Sequence, residues 1–551
     1  MKRSNIASFV ALALIASLVS NLFAAEPGPK KKLIELGWDI PTTEYIAEHW
    51  REMEENAPFD GIMFDLVATS PEGKQCASQV LFTEDAWERE WFLPCVKNLE
   101  SCDFQRYRDN FIRIDFYPTP FDWSNDDCWS KVCEKAGICA WVARETNSNI
   151  CFDFESYGAQ MFHHDPKTGR TFAESKALAR KRGAEMTAAI VKEKPDAVIL
   201  CLWMNSINFP AGRADNPDSV LKGFSYGLLP SFIDGMLDAV GPETVLVDGC
   251  ENGYYMNGAA EYDRAACDMF LATGPAVALV SPENRAKYRA QTQVGFGFYL
   301  DMYSNPEGSQ YYRGPEPGET RFDRLAANLR AALNASDQYV WVYGEQKRWW
   351  APENPEKEWT SWEEALPGVT ELIFELSDLK AALQKQKERV LNDPDKKNLI
   401  ANGDFANVDA NGRPADWGTW QIETSPTGTF VAEDGGAALK NMTNGCYIGS
   451  IPAEPGETYF VLAKARIQGE SAGGIRVRWN DEKGAWTKVD EDVIVGFDPE
   501  AEPDANGDRE VFAKAIVPDG AHRLVLLLSA SGAGNDGTVI FDDVKVYKAS
   551  K

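Results

Sequence analysis

The chain has 551 residues, 44% of them hydrophobic and 25% charged, the proportions of a folded protein. Its 56 Lys and Arg against 84 Asp and Glu give a net charge of −28. That excludes the positive footprint needed to grip nucleic acid or an anionic membrane surface. Seventeen Trp, 18 Tyr and 28 Phe exclude a largely disordered chain.

The first 25 residues read as a secretory signal. Lys2 and Arg3 form a basic start, Ile6 to Ser20 is an apolar run too short to span a bilayer comfortably, and Ala24 and Ala25 supply small residues for cleavage. The mature protein is expected to be secreted or periplasmic and free of the membrane. Of the 11 cysteines, Cys76, Cys95, Cys102, Cys128, Cys133 and Cys139 cluster in a loop-rich region where export would favour disulfides. Cys151, Cys201 and Cys250 sit in apolar runs and read as buried thiols. Four His and no CxxC argue against a His-rich or Cys-rich metal site.

From about residue 30 to 391, short apolar runs alternate with helical patterns, as in βα units on a parallel sheet. Eight strands are predicted: Leu33 to Asp39, Asp60 to Leu66, Phe111 to Tyr117, Asn149 to Glu155, Ala197 to Trp203, Thr244 to Cys250, Phe296 to Asp301 and Tyr339 to Glu345. Eight such units make a (β/α)₈ TIM barrel. The alternative, an open doubly wound sheet, lacks a GxGxxG after its first strand. The polar stretch NDPDKKN, residues 392–398, reads as a linker. From 399 to 551 short alternating runs with turn residues predict a β-sandwich: TYFVLAKARI, GGIRVRW, REVFAKAIV, HRLVLLLSA and GTVIFDDVKVY.

In a TIM barrel the active site lies at the C-terminal ends of the strands. Here those ends carry Asp39, Asp65, Asp115, Asp153 with Glu155, Trp203 with Asn205, Asp248 with Glu251, Asp301, and Glu345. Their convergence would make an anionic cleft, with Trp38, Trp203, Trp349 and Trp350 nearby. Trp faces stack on pyranose rings, and carboxylates accept bonds from sugar hydroxyls. Glycoside hydrolysis needs one protonated and one ionised carboxyl flanking the bond. Asp153 and Glu155, at i and i+2 on one strand, share a face. Glu155 is expected as the general acid and Asp153 as its support. Glu345 is a candidate partner, since the rim VYGEQKRWW (Val342 to Trp350) resembles a sugar subsite, and Asp248 and Glu251 follow. Arg113 beside Asp115 reads as a buried pair or as a contact for an anionic sugar. His163, His164 and Asp165 read as loop structure rather than metal ligands. No GxSxG, HExxH or P-loop is present, so a Ser-His-Asp hydrolase is unsupported.

Two resemblances extend this reading. Asn398, Leu399, Asn402, Gly403, Asp404 and Phe405, with Phe541, Asp542, Asp543 and Val544 near the end, resemble the CenC-type carbohydrate-binding modules (families 4 and 9) among the galactose-binding-like jelly rolls. The resemblance implies a β-sandwich jelly roll over residues 399–551 that binds sugar and holds a structural calcium ion. Asp542 matches one acidic ligand, but Ala406 stands where the family has a Glu. Trp417 falls where the family has a structural Trp. Among Trp420, Tyr447, Trp479 and Trp486, the two flanking the turn NDEKGA, Trp479 and Trp486, are expected to form the sugar platform. The Asp-x-Glu at Asp153 and Glu155 resembles the family 18 chitinase-like glycosidases, with Cys151 where that family has a further Asp. Retaining barrel glycosidases of the largest clan carry their nucleophile on the seventh strand, which implies Asp301.

The expectation is thus an exported glycoside hydrolase. It would cleave a poly- or oligosaccharide without a catalytic cofactor, aided by a C-terminal binding module. A catalytically inactive glycan-capture protein and a polysaccharide lyase are the alternatives. The ring of acids disfavours the lyase, because uronates would be repelled.

Overall fold

A computed structural model describes residues 30–117, 122–155, 160–352, 358–423, 428–469, 471–497, 501–532 and 537–549. The expected signal, residues 1–25, lies outside them. The chain divides into two compact units, residues 1–377 and 378–551.

The first unit is built on parallel strands. These are β1 (Lys32–Gly37), β2 (Gly61–Phe64), β3 (Phe111–Asp115), β4 (Asn149–Asp153), β5 (Val198–Cys201), β6 (Val245–Asp248), β7 (Thr292–Val294), β8 (Phe296–Tyr299) and β9 (Tyr339–Gly344). All but β7 match the predicted runs, β1 starting one residue earlier at Lys32. β1 to β6 neighbour one another in chain order, β9 pairs with β1, β7 with β6, and β8 with β9. β7 and β8 are halves of one extended stretch broken at Gly295, so the nine-piece parallel sheet comes round on itself and is nearly closed, as in a barrel. Gly295 donates its N–H to Asp248 O at 2.9 Å, and a Cβ there would meet Val247 Cγ1 at 2.9 Å and Tyr339 O at 3.1 Å. A side chain would pry this joint open.

Helices cover the barrel, each started by a side-chain cap or held by its apolar face. In α1 (Thr43–Asn56) the Thr42 hydroxyl accepts the Tyr45 N–H, and Tyr45, Ile46, Trp50 and Met53 turn inward. α2 (Leu93–Glu100) follows a small antiparallel hairpin, Val67–Thr69 with Gln75–Ala77. α3 (Asp126–Glu145) and α4 (Phe172–Glu193) pack side by side, and α4 opens with a Thr171–Glu174 capping box. No helix of the described residues is long and apolar enough to cross a membrane.

The expected disulfides are not formed: all eleven cysteines are free thiols. Cys95 Sγ donates to Val67 O and Cys102 Sγ to Asn98 O, so these two thiols have backbone partners within the fold. Cys151, Cys201 and Cys250 are buried, as read from the sequence.

In the second unit the helix α5 (Leu379–Asn392), which sequence reading attaches to the barrel, clusters with the sandwich instead. Asp378 caps its start, and Lys387 forms an ion pair with Glu510. Ten antiparallel strands follow in two five-stranded sheets. One is ordered β10 (Gly418–Gln421), β13 (Asn444–Pro452), β18 (Arg523–Ser531), β15 (Ala472–Asn480), β16 (Val493–Gly496). The other is ordered β11 (Thr429–Glu433), β12 (Gly436–Lys440), β19 (Thr538–Lys548), β14 (Thr458–Gln468), β17 (Arg509–Ile516). Ile475, Val477 and Trp479 from the first sheet, with Val461, Ala463 and Phe541 from the second, share one core.

Candidate active site at the barrel mouth

Register decides which side chains meet in the mouth. Arg113 pairs across to Cys151 and Asp115 to Asp153, so the ends of β3 and β4 present these side chains on one face. Arg113 grips Asp65 at two points, Nε to Oδ1 at 3.2 Å and Nη2 to Oδ2 at 3.1 Å, and its Nε lies 3.3 Å from Asp115 Oδ1. The sequence alternative of a buried pair is therefore what the arginine forms, with Asp65 as the main partner. Asp153 Oδ1 accepts the backbone N–H of Glu155 at 2.8 Å, which fixes the chain where Glu155 enters the mouth.

Aromatic residues line the opposite side. Trp341 pairs in register with Gly297, and Tyr343 with Tyr299. The Trp341 indole N–H reaches Gly249 O at 2.8 Å. Tyr254 lies parallel to Tyr343 with centroids 5.7 Å apart, and packs against Tyr299 at 5.0 Å and Trp341 at 5.3 Å. Tyr343 OH donates to Glu345 at 3.3 Å and accepts the indole N–H of Trp38 at 3.0 Å. Trp38 is 64% exposed, an open ring at the lip.

Glu251 closes the ring between the two arcs. It begins a single turn, Glu251–Tyr255, launched by Cys250 in the left-handed region at φ 33°. A cysteine rarely takes that conformation, and here it turns the chain from the end of β6 into this short helix. Burial pushes the Glu251 carboxyl up to about 8, and the charges of Glu155 and Asp153 push the same way. Burial lifts Asp153 to about 6, with the Glu155 N–H and Arg113 holding it down. Burial drives Asp115 well above the carboxylate range despite Arg113. Near neutrality Glu251 holds its proton and Asp153 is ionised. One mouth thus holds a proton donor and a carboxylate.

Several expected site residues serve the frame instead. Asp248 is fully buried, one residue out of phase with the mouth-facing Val247 and Gly249. Its oxygens accept the N–H groups of Met204 and Ser206 at 3.0 Å and the Ser206 hydroxyl at 2.5 Å. Asp301 is also fully buried and accepts the Glu345 N–H at 2.7 Å. Asp39, pushed to about 6 by burial, accepts the Trp349 N–H at 2.8 Å, and its carbonyl accepts the Trp350 indole N–H at 2.9 Å. Trp349 is buried against Phe59 rather than standing in the cleft. Trp203 and Asn205 are buried, the Asn205 amide donating to Ala276 O. His164 meets Ser175, His163 meets Phe224 O, and Asp165 caps its own turn, so this trio is loop structure.

In the sandwich, Trp479 is fully buried and donates its indole N–H to Glu491 O. It belongs to the core, not to a sugar platform. Trp486 is 51% exposed, with the Arg478 guanidinium 4.2 Å over its ring, and Trp420 is 50% exposed on β10 of the same sheet. Trp417 is buried and donates to Asn402 O. Among the described residues no group of three or more His, Cys, Asp or Glu is placed to hold a metal ion; Asp542 accepts the Asp543 N–H at 2.7 Å.

No protein-family model matches the chain, and no curated protein does. Solved structures match in part. A CBM4 structure is 22% identical over 27% of this chain and 99% of its own, at a TM-score of 0.21. The Clostridium thermocellum endo-1,4-β-D-xylanase 10B CBM22-1–GH10 modules with xylohexaose are 16% identical over 28% and 29%, at 0.20. The bacteriophage CBA120 tailspike protein 4 enzymatically active domain is 18% identical over 28% and 21%, at 0.22, so the chain spans about a fifth of that protein.

Proposed function

We propose that the barrel mouth is the active site of a glycoside hydrolase and that the sandwich holds the enzyme on its glycan. The observation that carries this is Glu251: a largely buried carboxyl lifted to about 8, beside Asp153 and Glu155 and close to stacked tyrosines. Glu251 gives its proton to the departing glycosidic oxygen. Glu155, its backbone tied to Asp153, is the carboxylate that stabilises or attacks the anomeric carbon. Tyr254, Tyr343 and the exposed Trp38 offer ring faces to the sugar. Trp420 and Trp486 form the platform of the second unit. Export belongs to the same proposal.

The test is reducing-end release from a panel of neutral polysaccharides by wild type, Glu251→Gln and Glu155→Gln. We expect each variant to be slower by about a hundredfold or more. Wild-type rates in Glu251→Gln would remove the assignment. Retention on a glycan with no cleavage by wild type would favour capture, which the exposed Trp420 and Trp486 of the sandwich support by themselves.

A further inference from the structure

We propose that the substrate cleft continues beyond Trp38 into a groove that holds the uncleaved part of a neutral glycan chain, so that the enzyme acts within long chains. This rests on the barrel mouth being the hydrolytic site. The path begins at Trp38, whose indole bonds Tyr343 in the mouth. Trp38 also lines a hollow of about 190 Å³ with Arg348 and Tyr45. That hollow shares Tyr45, Ala351 and Pro352 with a larger groove of about 960 Å³ between α1, the hairpin and α2. The larger volume lies at the upper end of the range for small-molecule sites, ~300–1,000 Å³.

Both compartments lie on the side of the barrel where catalysis occurs. α1 begins just after β1, and the hairpin just after β2, so the groove opens at the C-terminal ends of those strands. Its walls carry rings and neutral hydrogen-bonding groups. Tyr45 and His49 lie 4.3 Å apart on one wall, Trp91 stands on the other, and Gln75 and Asn98 supply amides. Among the described residues no Lys or Arg lines the larger groove, whereas Glu44 and Glu48 do. An anionic polymer is repelled there. A neutral chain finds apolar faces for its rings and amides for its hydroxyls.

The experiment uses the full-length protein in a Trp420→Ala, Trp486→Ala background, which removes the sandwich platform. The probes are neutral gluco-, xylo- and manno-oligosaccharides from disaccharide to octasaccharide. The readout is the ratio of octasaccharide to disaccharide kcat/KM. We expect that ratio to be about tenfold or more, and Trp91→Ala and Gln75→Ala each to lower it towards one. A ratio that Trp91→Ala leaves untouched overturns the groove, as does an equal loss on both lengths. Should no substrate turn over, the hydrolase reading falls. The groove is then read by tryptophan fluorescence titration: tighter binding of octasaccharide than disaccharide, lost in Trp91→Ala, supports it, and equal binding overturns it.

Discussion

Asp301 accepts the backbone N–H of Glu345 at 2.7 Å and that of Gln346 at 3.4 Å, with the Lys347 ammonium 3.8 Å away. Two acids that compete in the sequence for one catalytic role are the holder and the held. Asp301→Asn replaces a two-point acceptor with a group that has one oxygen. We expect a loss of about 1–3 kcal/mol, seen as a lower urea midpoint, together with slower turnover as Glu345 and the rim behind it shift. An unchanged midpoint would show that the contact holds nothing.

Activity should follow a bell in pH. The acid limb rises through about 6 as Asp153 ionises and tightens its hold on the Glu155 N–H, and the alkaline limb falls through about 8 as Glu251 loses its proton. Residual activity of Glu251→Gln should lose the alkaline limb; a limb that persists there belongs to another group. Stability follows from the same shifts. Glu251 binds its proton more tightly folded than unfolded, so its contribution is complete below about 4.5 and is lost as pH rises through about 8. Differential scanning calorimetry should therefore show Tm falling across that window, and less so in Glu251→Gln.

Arg113→Met leaves Asp65 and Asp115 without their buried cation. Breaking one partner of such a cluster costs about 3–5 kcal/mol. The deficit should be larger at pH 8 than at pH 5, because protonated carboxyls tolerate the loss. Equal unfolding midpoints for variant and wild type at pH 8 would contradict the cluster.

The two tryptophans flanking the NDEKGA turn should behave oppositely. Trp479→Ala empties the sandwich core and costs about 3–5 kcal/mol. Trp486→Ala should leave Tm within about 1 °C and abolish retention on a glycan affinity gel. Reversal of these outcomes would mean that the platform is elsewhere.

The difference between those two tryptophans was present in the sequence as alternation. Ile475, Val477 and Trp479 interleave with Arg476 and Arg478, so the indole of Trp479 points with the apolar set; adjacency to a turn was the weaker signal. Strand order and the acids at strand ends were legible, because each strand is a short apolar run closed by a carboxylate. Which acids face the mouth was not. Asp248 lies out of phase with Val247, and Asp301 falls beyond a strand broken at Gly295, a joint visible only once β6 and β9 lie on either side. Glu251 was the least legible. Its proton affinity comes from burial and from Asp153 and Glu155, nearly a hundred positions earlier in the chain.

Closure of the barrel joins the two extremes of the first unit: Lys32 and Tyr339, 307 positions apart, are partners between β1 and β9. On the ribosome β1 therefore emerges long before its neighbour exists. Until β9 arrives, β1 offers an unpaired edge of buried-type residues, Leu33 to Leu36, to any other nascent strand. Long-range pairing of this kind is slow. That exposure lasts through most of the synthesis of the first unit, and the last strand of that unit to be made is the one that ends it.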